Sequence, residues 1–332
     1  MESGEEAFEM LYDLEKVIES IPVLSKGYIN RDGFNFTAIG EPTNVYNALI
    51  IKNPQNAACW SPHVPTSARS LEEHIALVNE YKLEKAQIVA EDLSFITRCP
   101  TLKHLTVIPA ENTGDRFDFS PLYEMPEIKN LVCLTDHEED EKLFSCVDYS
   151  RIKGLEELGL SGRGHLNYNK LKTLKSLFLS KAKSKAGDLT DQFISPVLRE
   201  ITLMLCNIRS LKGIEQSSVM RRVSLSYNRI LEDITPLRAV SETLEVLAIE
   251  NCPKITDFSI LSELKNLRHL QLSGSNDLPS LSFLDGMKNL RTFSFSMNVV
   301  DGNLEPCMRL PYASCGKGRK HYNLRDKDLP KG

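Results

Sequence analysis

Several groups of residues in this chain are of types that could do chemistry. The eight cysteines stand at Cys59, Cys99, Cys133, Cys146, Cys206, Cys252, Cys307 and Cys315. A structural zinc site would want C-x-x-C pairs or a His pair at ligand spacing, and neither occurs. The seven histidines, at 63, 74, 104, 137, 165, 269 and 321, contain no HExxH pair. The acidic run "DHEEDE" (136–141) offers carboxylate oxygens to a hard cation, but its spacing is not that of an EF-hand and it reads as a solvated connecting loop. The glycine-rich stretches "SGRG" (161–164) and "GKGR" (316–319) complete neither phosphate-binding fingerprint. No G-x-S-x-G nucleophile elbow is present. The expectation is a chain with no catalytic, cofactor-binding or metal-binding residues. The enzyme alternative would need a site in the N-terminal region or the inter-repeat loops.

The composition fits a globular protein: 332 residues, 41% hydrophobic, 26% charged, with a net charge of -5. That mild acidity points away from nucleic acid and anionic membrane as partners. The start "MESGEEAFEMLYDLEKVIES" is acidic and amphipathic, without the basic and apolar regions of a signal peptide, and is expected to be an opening helix. Reduced thiols and a cytoplasmic location follow as expectations.

What must position any functional residue is a repeat. The pattern apolar-x-x-apolar-x-apolar starts at Leu83, Leu102, Ile128, Leu155, Leu174, Leu198, Met220, Leu244, Leu267 and Leu290. From 102 onward the spacings are 26, 27, 19, 24, 22, 24, 23 and 23 residues. A second motif, Asp-apolar-Ser/Thr-x-apolar, keeps the same register at Asp92, Asp118, Asp148, Asp233 and Asp257, with "SLSFL" (280) lacking the Asp. In "LSYNRILEDITPLRAV" (225–240) both motifs are clear. Alternation predicts Val223 and Leu225 inward, Ser224 and Ser226 outward, and Leu203, Leu225 and Ile249 in one buried column. Asn228 is expected to satisfy turn backbone, Asp233 to cap a short helical turn, and Pro236 to be tolerated there.

These segments resemble leucine-rich repeats, L-x-x-L-x-L-x-x-N/C-x-L, over about residues 83 to 307. The N/C position would be filled by Cys206, Asn228, Cys252, Ser275 and Asn298. The N-x-I-x-D-I-x-P-L part is similar to the short, internalin-like type found in bacterial proteins. The resemblance implies an α/β solenoid with parallel strands on a concave face and short helical or irregular convex turns. Residues 1–82 are expected to be an N-terminal α+β cap, with a helix at 5–20, a hairpin at 27–40, a strand at 45–51 and a helix at 70–82 capped by Ser70 and Glu73. Residues 308–332 are expected to form a C-terminal cap or tail, with Tyr322 and Leu324 laid on the last repeat or the segment left mobile.

A repeat scaffold without a reactive constellation implies a protein-protein interaction module, a monomer that binds a protein or peptide on its concave face. By analogy, one version is an immunity or inhibitor protein for a cognate toxin or enzyme. The outward strand positions change character along the chain. Ile108, Val132, Leu134, Phe178 and Met204 put large apolar groups where a merely structural face would be polar, with Glu157, Glu200 and Arg222 as a charged rim. The competing expectation is that the loops at 109–117, 135–145 and 181–192 fold over these residues.

Overall fold

The computed structural model describes residues 48–51, 71–80, 82–90, 92–109, 117–133, 147–161, 165–192 and 195–332. The helix expected at 5–20, the hairpin at 27–40 and the Ser70–Glu73 cap lie outside them. The chain divides into two compact units, within residues 14–173 and 174–332.

In the first unit the strands β1 (Ala48–Ile51), β2 (Lys85–Ala90), β3 (His104–Pro109), β4 (Asn130–Cys133) and β5 (Glu157–Ser161) pair in parallel in that order. Of the strand expected at 45–51, residues 48–51 are described and form a parallel neighbour of the first clear repeat. Helix α1 (Leu71–Glu80) precedes β2 and buries Ile75 and Val78.

In the second unit β6 (Ser176–Ser180), β7 (Glu200–Met204), β8 (Arg222–Ser226), β9 (Val246–Glu250) and β10 (His269–Ser273) continue the same arrangement. A short pair, β11 (Asp277–Leu278) and β13 (Asn298–Val299), flanks β12 (Thr292–Phe295), which pairs with β10. Past the boundary expected at 307, one further strand, β14 (Tyr312–Cys315), pairs in parallel with β12. Its sequence "LPYASC" obeys the pattern with Ala313 and Cys315, whose small side chains make the signal faint.

Each repeat closes because alternate strand residues point inward. Leu203, Leu225 and Ile249 are buried in one column as expected. The Asp motif is an Asx turn: a carboxylate oxygen accepts the backbone N–H two residues on. This recurs at Asp92, Asp118, Asp148, Asp233 and Asp257 over 2.8–3.1 Å. Asp188 and Asp301 make the same turn in "DLTDQ" and "DGNLE", which lack the motif's final apolar residue or its Ser/Thr. After Asp233 the chain makes a 3₁₀ turn, Thr235–Val240, with Pro236 in its first positions and Leu237 and Val240 buried.

Asn228 is fully buried. Its Oδ1 accepts the Cys206 N–H at 2.8 Å, and its Nδ2 donates to the Leu203 carbonyl at 2.8 Å. Cys206 and Cys252 continue this ladder through their thiols, to the Leu179 and Leu225 carbonyls. The next member is Asn276, not Ser275: its Nδ2 donates to the carbonyls of Cys252 and Ile255, while Ser275 is exposed. Gly274, with φ at +144°, takes up the extra residue that shifts the register. Asn298 instead pairs with Asp277 in the small sheet.

The C-terminal segment closes the last repeat. The Tyr322 hydroxyl accepts from the Val299 N–H and donates to the Met297 carbonyl. Lys331 forms an antiparallel bridge with Tyr312, and Asp326 accepts from the Cys315 N–H.

Candidate protein-binding face

The strand pattern decides which side chains are available. On β7 and β8, Ile201, Leu203, Val223 and Leu225 are buried while Glu200, Thr202, Met204, Arg222, Ser224 and Ser226 are half-buried on the other face. Parallel register puts Glu200 opposite Arg222 and Phe178 opposite Thr202, with Met204 opposite Ser180. Phe178 and Met204 are therefore diagonal neighbours, about 7–8 Å apart by the usual geometry of such pairs and within reach of long side chains. Both are half-buried.

The loop at 181–192 was one of three expected to fold over these residues. Where described, it runs beside the next repeat's turn: Asn207 donates to Ala182, Arg209 to Gly187 and Leu189 to Lys212 through the backbone. Leu189 anchors it in the core.

In residues 14–173, Val132 is half-buried and lies against Gly159, where an added Cβ would sit 3.3 Å from Val132 Cγ1. Glu157 accepts from Asn130 Nδ2, its neighbour in register. The Ile108 side chain and Leu134 lie outside the described residues, as do most of the other two loops.

Alternation alone overstates the open surface. Ser161, Ser180, Val246, His269 and Thr292 occupy outward positions yet are buried. His269, 2% exposed, is the clearest case. Burial first, then the nearby Arg222, Arg268 and Arg291 guanidiniums, pull its pKa down to about 4. Its ring is neutral at ordinary pH, and its Nδ1 makes no hydrogen bond among the described residues.

Two exposed residues escaped the sequence reading. At the end of each of β6 to β10 one residue turns the chain in the left-handed region: Lys181, Leu205, Tyr227, Asn251 and Gly274. Backbone bonds align them, with Lys181, Leu205, Tyr227 and Asn251 donating to Met204, Ser226, Glu250 and Ser273. Asn251 and Gly274 are the types that adopt this conformation cheaply. Leu205 and Tyr227 pay the steric penalty, yet are 40% and 44% exposed. Their letters carry no turn signal, so only the backbone reveals them.

The reactive groups among the described residues serve the core. Burial pushes the thiols of Cys99, Cys206 and Cys315 up to about 11, and those of Cys133 and Cys307 to about 12, which keeps them protonated and non-nucleophilic. His165 Nδ1 stands 3.0 Å from the Tyr149 hydroxyl and its Nε2 stands 2.9 Å from the Ser161 carbonyl. Burial lowers its pKa, and a neutral ring can accept from the tyrosine while donating to the carbonyl. Among the described residues no group of three His, Cys, Asp or Glu could hold a metal ion. No helix among them is long and apolar enough to cross a membrane.

One parallel strand per repeat, Asx turns at Asp motifs that stand in all but one case 10 or 11 residues before the next strand motif, and a buried Asn/Cys ladder define a leucine-rich-repeat fold with short repeats. No protein-family profile matches the chain, and no curated protein matches it. Among solved structures it is similar to an internalin from Listeria monocytogenes, at 17% identity and a TM-score of 0.46 over 82% of this chain and 80% of that one. It is also similar to internalin C2 from the same organism, at 22% identity and a TM-score of 0.38 over 61% and 75% of the two chains.

Proposed function

We propose that this chain is a non-catalytic binding module that holds a protein or peptide partner on the outward face of its strands. The observation that carries the reading is the apolar group on β6–β8 and their ends. Phe178 and Met204 lie diagonally on the face, and Leu205 and Tyr227 stand exposed in a backbone conformation that favours other residue types. Strained positions bearing exposed apolar groups are drawn to functional surfaces. Glu200 and Arg222 flank the group as a polar rim. In residues 14–173, Ile108, Val132, Leu134 and Glu157 make a second set of candidates. The protonated, buried thiols support the non-catalytic reading, and free cysteines suit a reducing compartment such as the cytoplasm. Residues 1–82 and 308–332 act in this reading as caps on a monomer.

The test compares capture by the wild type and two double variants from native lysate, read by mass spectrometry. Phe178→Ala with Met204→Ala should reduce enrichment of the partner at least tenfold while the protein stays folded. Leu205→Asn with Tyr227→Asn should also weaken capture, although Asn suits the left-handed backbone and stability should hold or rise by about 0.5–1 kcal/mol per site. Undiminished capture by folded variants would refute the reading.

A further inference from the structure

The residue just before each strand lies outside the core, and the backbone lines up successive copies. In residues 174–332 the Arg199 N–H donates to the Lys175 carbonyl, Arg221 to Arg199, Glu245 to Arg221, Arg268 to Glu245 and Arg291 to Arg268. Six side chains therefore originate from one column, at about 4.8 Å per strand, over about 24 Å. Five are cations and one is a carboxylate, on a chain whose net charge is -5.

That carboxylate does not neutralise the column. Glu245 accepts from Arg221 Nε and Nη2 at 3.0 and 2.5 Å and lies 3.9 Å from Arg268 Nε. Arg199 and Arg291 are exposed and make no ion pair among the described residues. Elsewhere in the unit Arg238 pairs with Glu263 and Arg309 with Asp285, whereas Arg209, Arg229, Arg319 and Arg325 make no ion pair among the described residues and belong to no such line. The next column on the face adds Arg222, with Glu200 opposite it. Beyond lies a column that opens with Phe178 on β6 and continues with Thr202, Ser224, Ala248, Gln271 and Ser294, uncharged side chains that leave room for an extended backbone from β7 onward.

We propose that this edge of the strand face docks an acidic polypeptide segment, whose carboxylates engage Arg199, Arg268 and Arg291. Guanidinium groups hold carboxylates through paired, charge-assisted hydrogen bonds, and a row of them fits a chain with repeated Asp or Glu. A polypeptide suits the edge better than nucleic acid. A peptide can set an uncharged residue opposite Glu200 and Glu245, whereas every unit of a phosphate backbone is charged. The columns beyond offer one ring, Phe178, and not the succession of aromatic platforms on which bases stack. The proposal deepens the partner-binding reading but uses the opposite ends of the strands from Leu205 and Tyr227. The two can therefore fail separately.

The probe is a labelled (Glu-Ser)4 peptide, about 26 Å long when extended, followed by fluorescence anisotropy on the full chain at low and moderate salt. The expected result is salt-sensitive binding, at least tenfold weaker for Arg268→Glu with Arg291→Glu. It should be unchanged for Phe178→Ala with Met204→Ala. Should the reversed pair fail to fold, Arg199→Glu and Arg291→Gln, both at exposed positions, serve instead, each expected to weaken binding several-fold. Binding should also move the His269 imidazole titration upward, because carboxylates would offset the three guanidiniums around it. No binding, equal binding of (Gln-Ser)4, tighter binding of an octathymidine strand, or charge-reversed variants that bind like wild type would overturn the proposal. Loss of partner capture in the apolar variants with peptide binding intact would separate the two readings.

Discussion

The same position of the repeat reads differently in the two units. Before the strands of residues 14–173 it carries Glu84, Lys103, Lys129 and Glu156, aligned by the same backbone ladder. Two lysines stand against two glutamates, and Lys103 pairs with Glu84 at 2.7 Å. In residues 174–332 the column gathers five cations around Glu245. The scaffold beneath is the same, so it cannot account for the difference. A column exempt from core packing is free to vary, and under the docking proposal its charge reflects the segment it meets. Three measurements would break or sharpen that contrast.

The largest effect should come from the scaffold and not from either column. Asn228→Ala removes a buried amide that satisfies the Cys206 N–H and the Leu203 carbonyl. Leaving those groups buried and unpaired should cost on the order of 2–4 kcal/mol in urea unfolding. Arg199→Glu, on the exposed column, should stay within about 0.5 kcal/mol of wild type. Should the column substitution cost as much as the ladder substitution, the column is structural and the contrast loses its functional meaning.

The next effect depends on pH. His269 has its folded pKa lowered from 6.5 to about 4, by burial first and then by Arg222, Arg268 and Arg291. Between these values the unfolded chain binds more protons than the folded one, so stability is present above pH 6.5 and lost as the pH falls toward 4. One proton gives a slope of up to about 1.4 kcal/mol per pH unit. His269→Gln should flatten the urea-midpoint profile over that window. An unchanged slope would mean that the ring is not held below its ordinary pKa in the folded chain, either by burial or by the guanidiniums.

Much of the fold was legible because about half of the repeats state it twice. The apolar pattern fixes the strands, and Asp with Ser or Thr two residues on fixes the turn, since an Asx turn needs only those side chains. Three features were not legible, for three reasons. Gly274 adds one residue, so counting from the strand lands on Ser275 while the ladder selects Asn276. Alternation marks His269 and Thr292 as outward, but the crowding that buries them comes from neighbouring repeats. Leu205 and Tyr227 sit where the backbone is left-handed, and sequence announces that conformation only through Gly, Asn or Asp. Of the candidate site, Phe178 and Met204 were readable from the strand pattern. The arginine column was visible as letters, but only hydrogen bonds between repeats show that the letters form a line.

The smallest effects test the acids of the two columns against each other. The Glu245 side chain is 14% exposed and lies between Arg221 and Arg268, whereas that of Glu84 is 53% exposed and faces one lysine. Glu245→Gln should destabilise by about 1–2 kcal/mol, because it leaves two guanidiniums without their carboxylate in a partly desolvated setting. It should also lower the His269 pKa further, since Glu245 is the one neighbour that raises it. Glu84→Gln breaks an exposed pair that solvent already screens, and should cost about 0.5 kcal/mol or less, vanishing in high salt. The acidic peptide then separates surface from stability: Glu245→Gln should bind it more tightly than wild type despite being less stable, and Glu84→Gln should leave binding unchanged. Equal costs at the two positions, or weaker peptide binding by Glu245→Gln, would mean that the two columns differ in composition without differing in role.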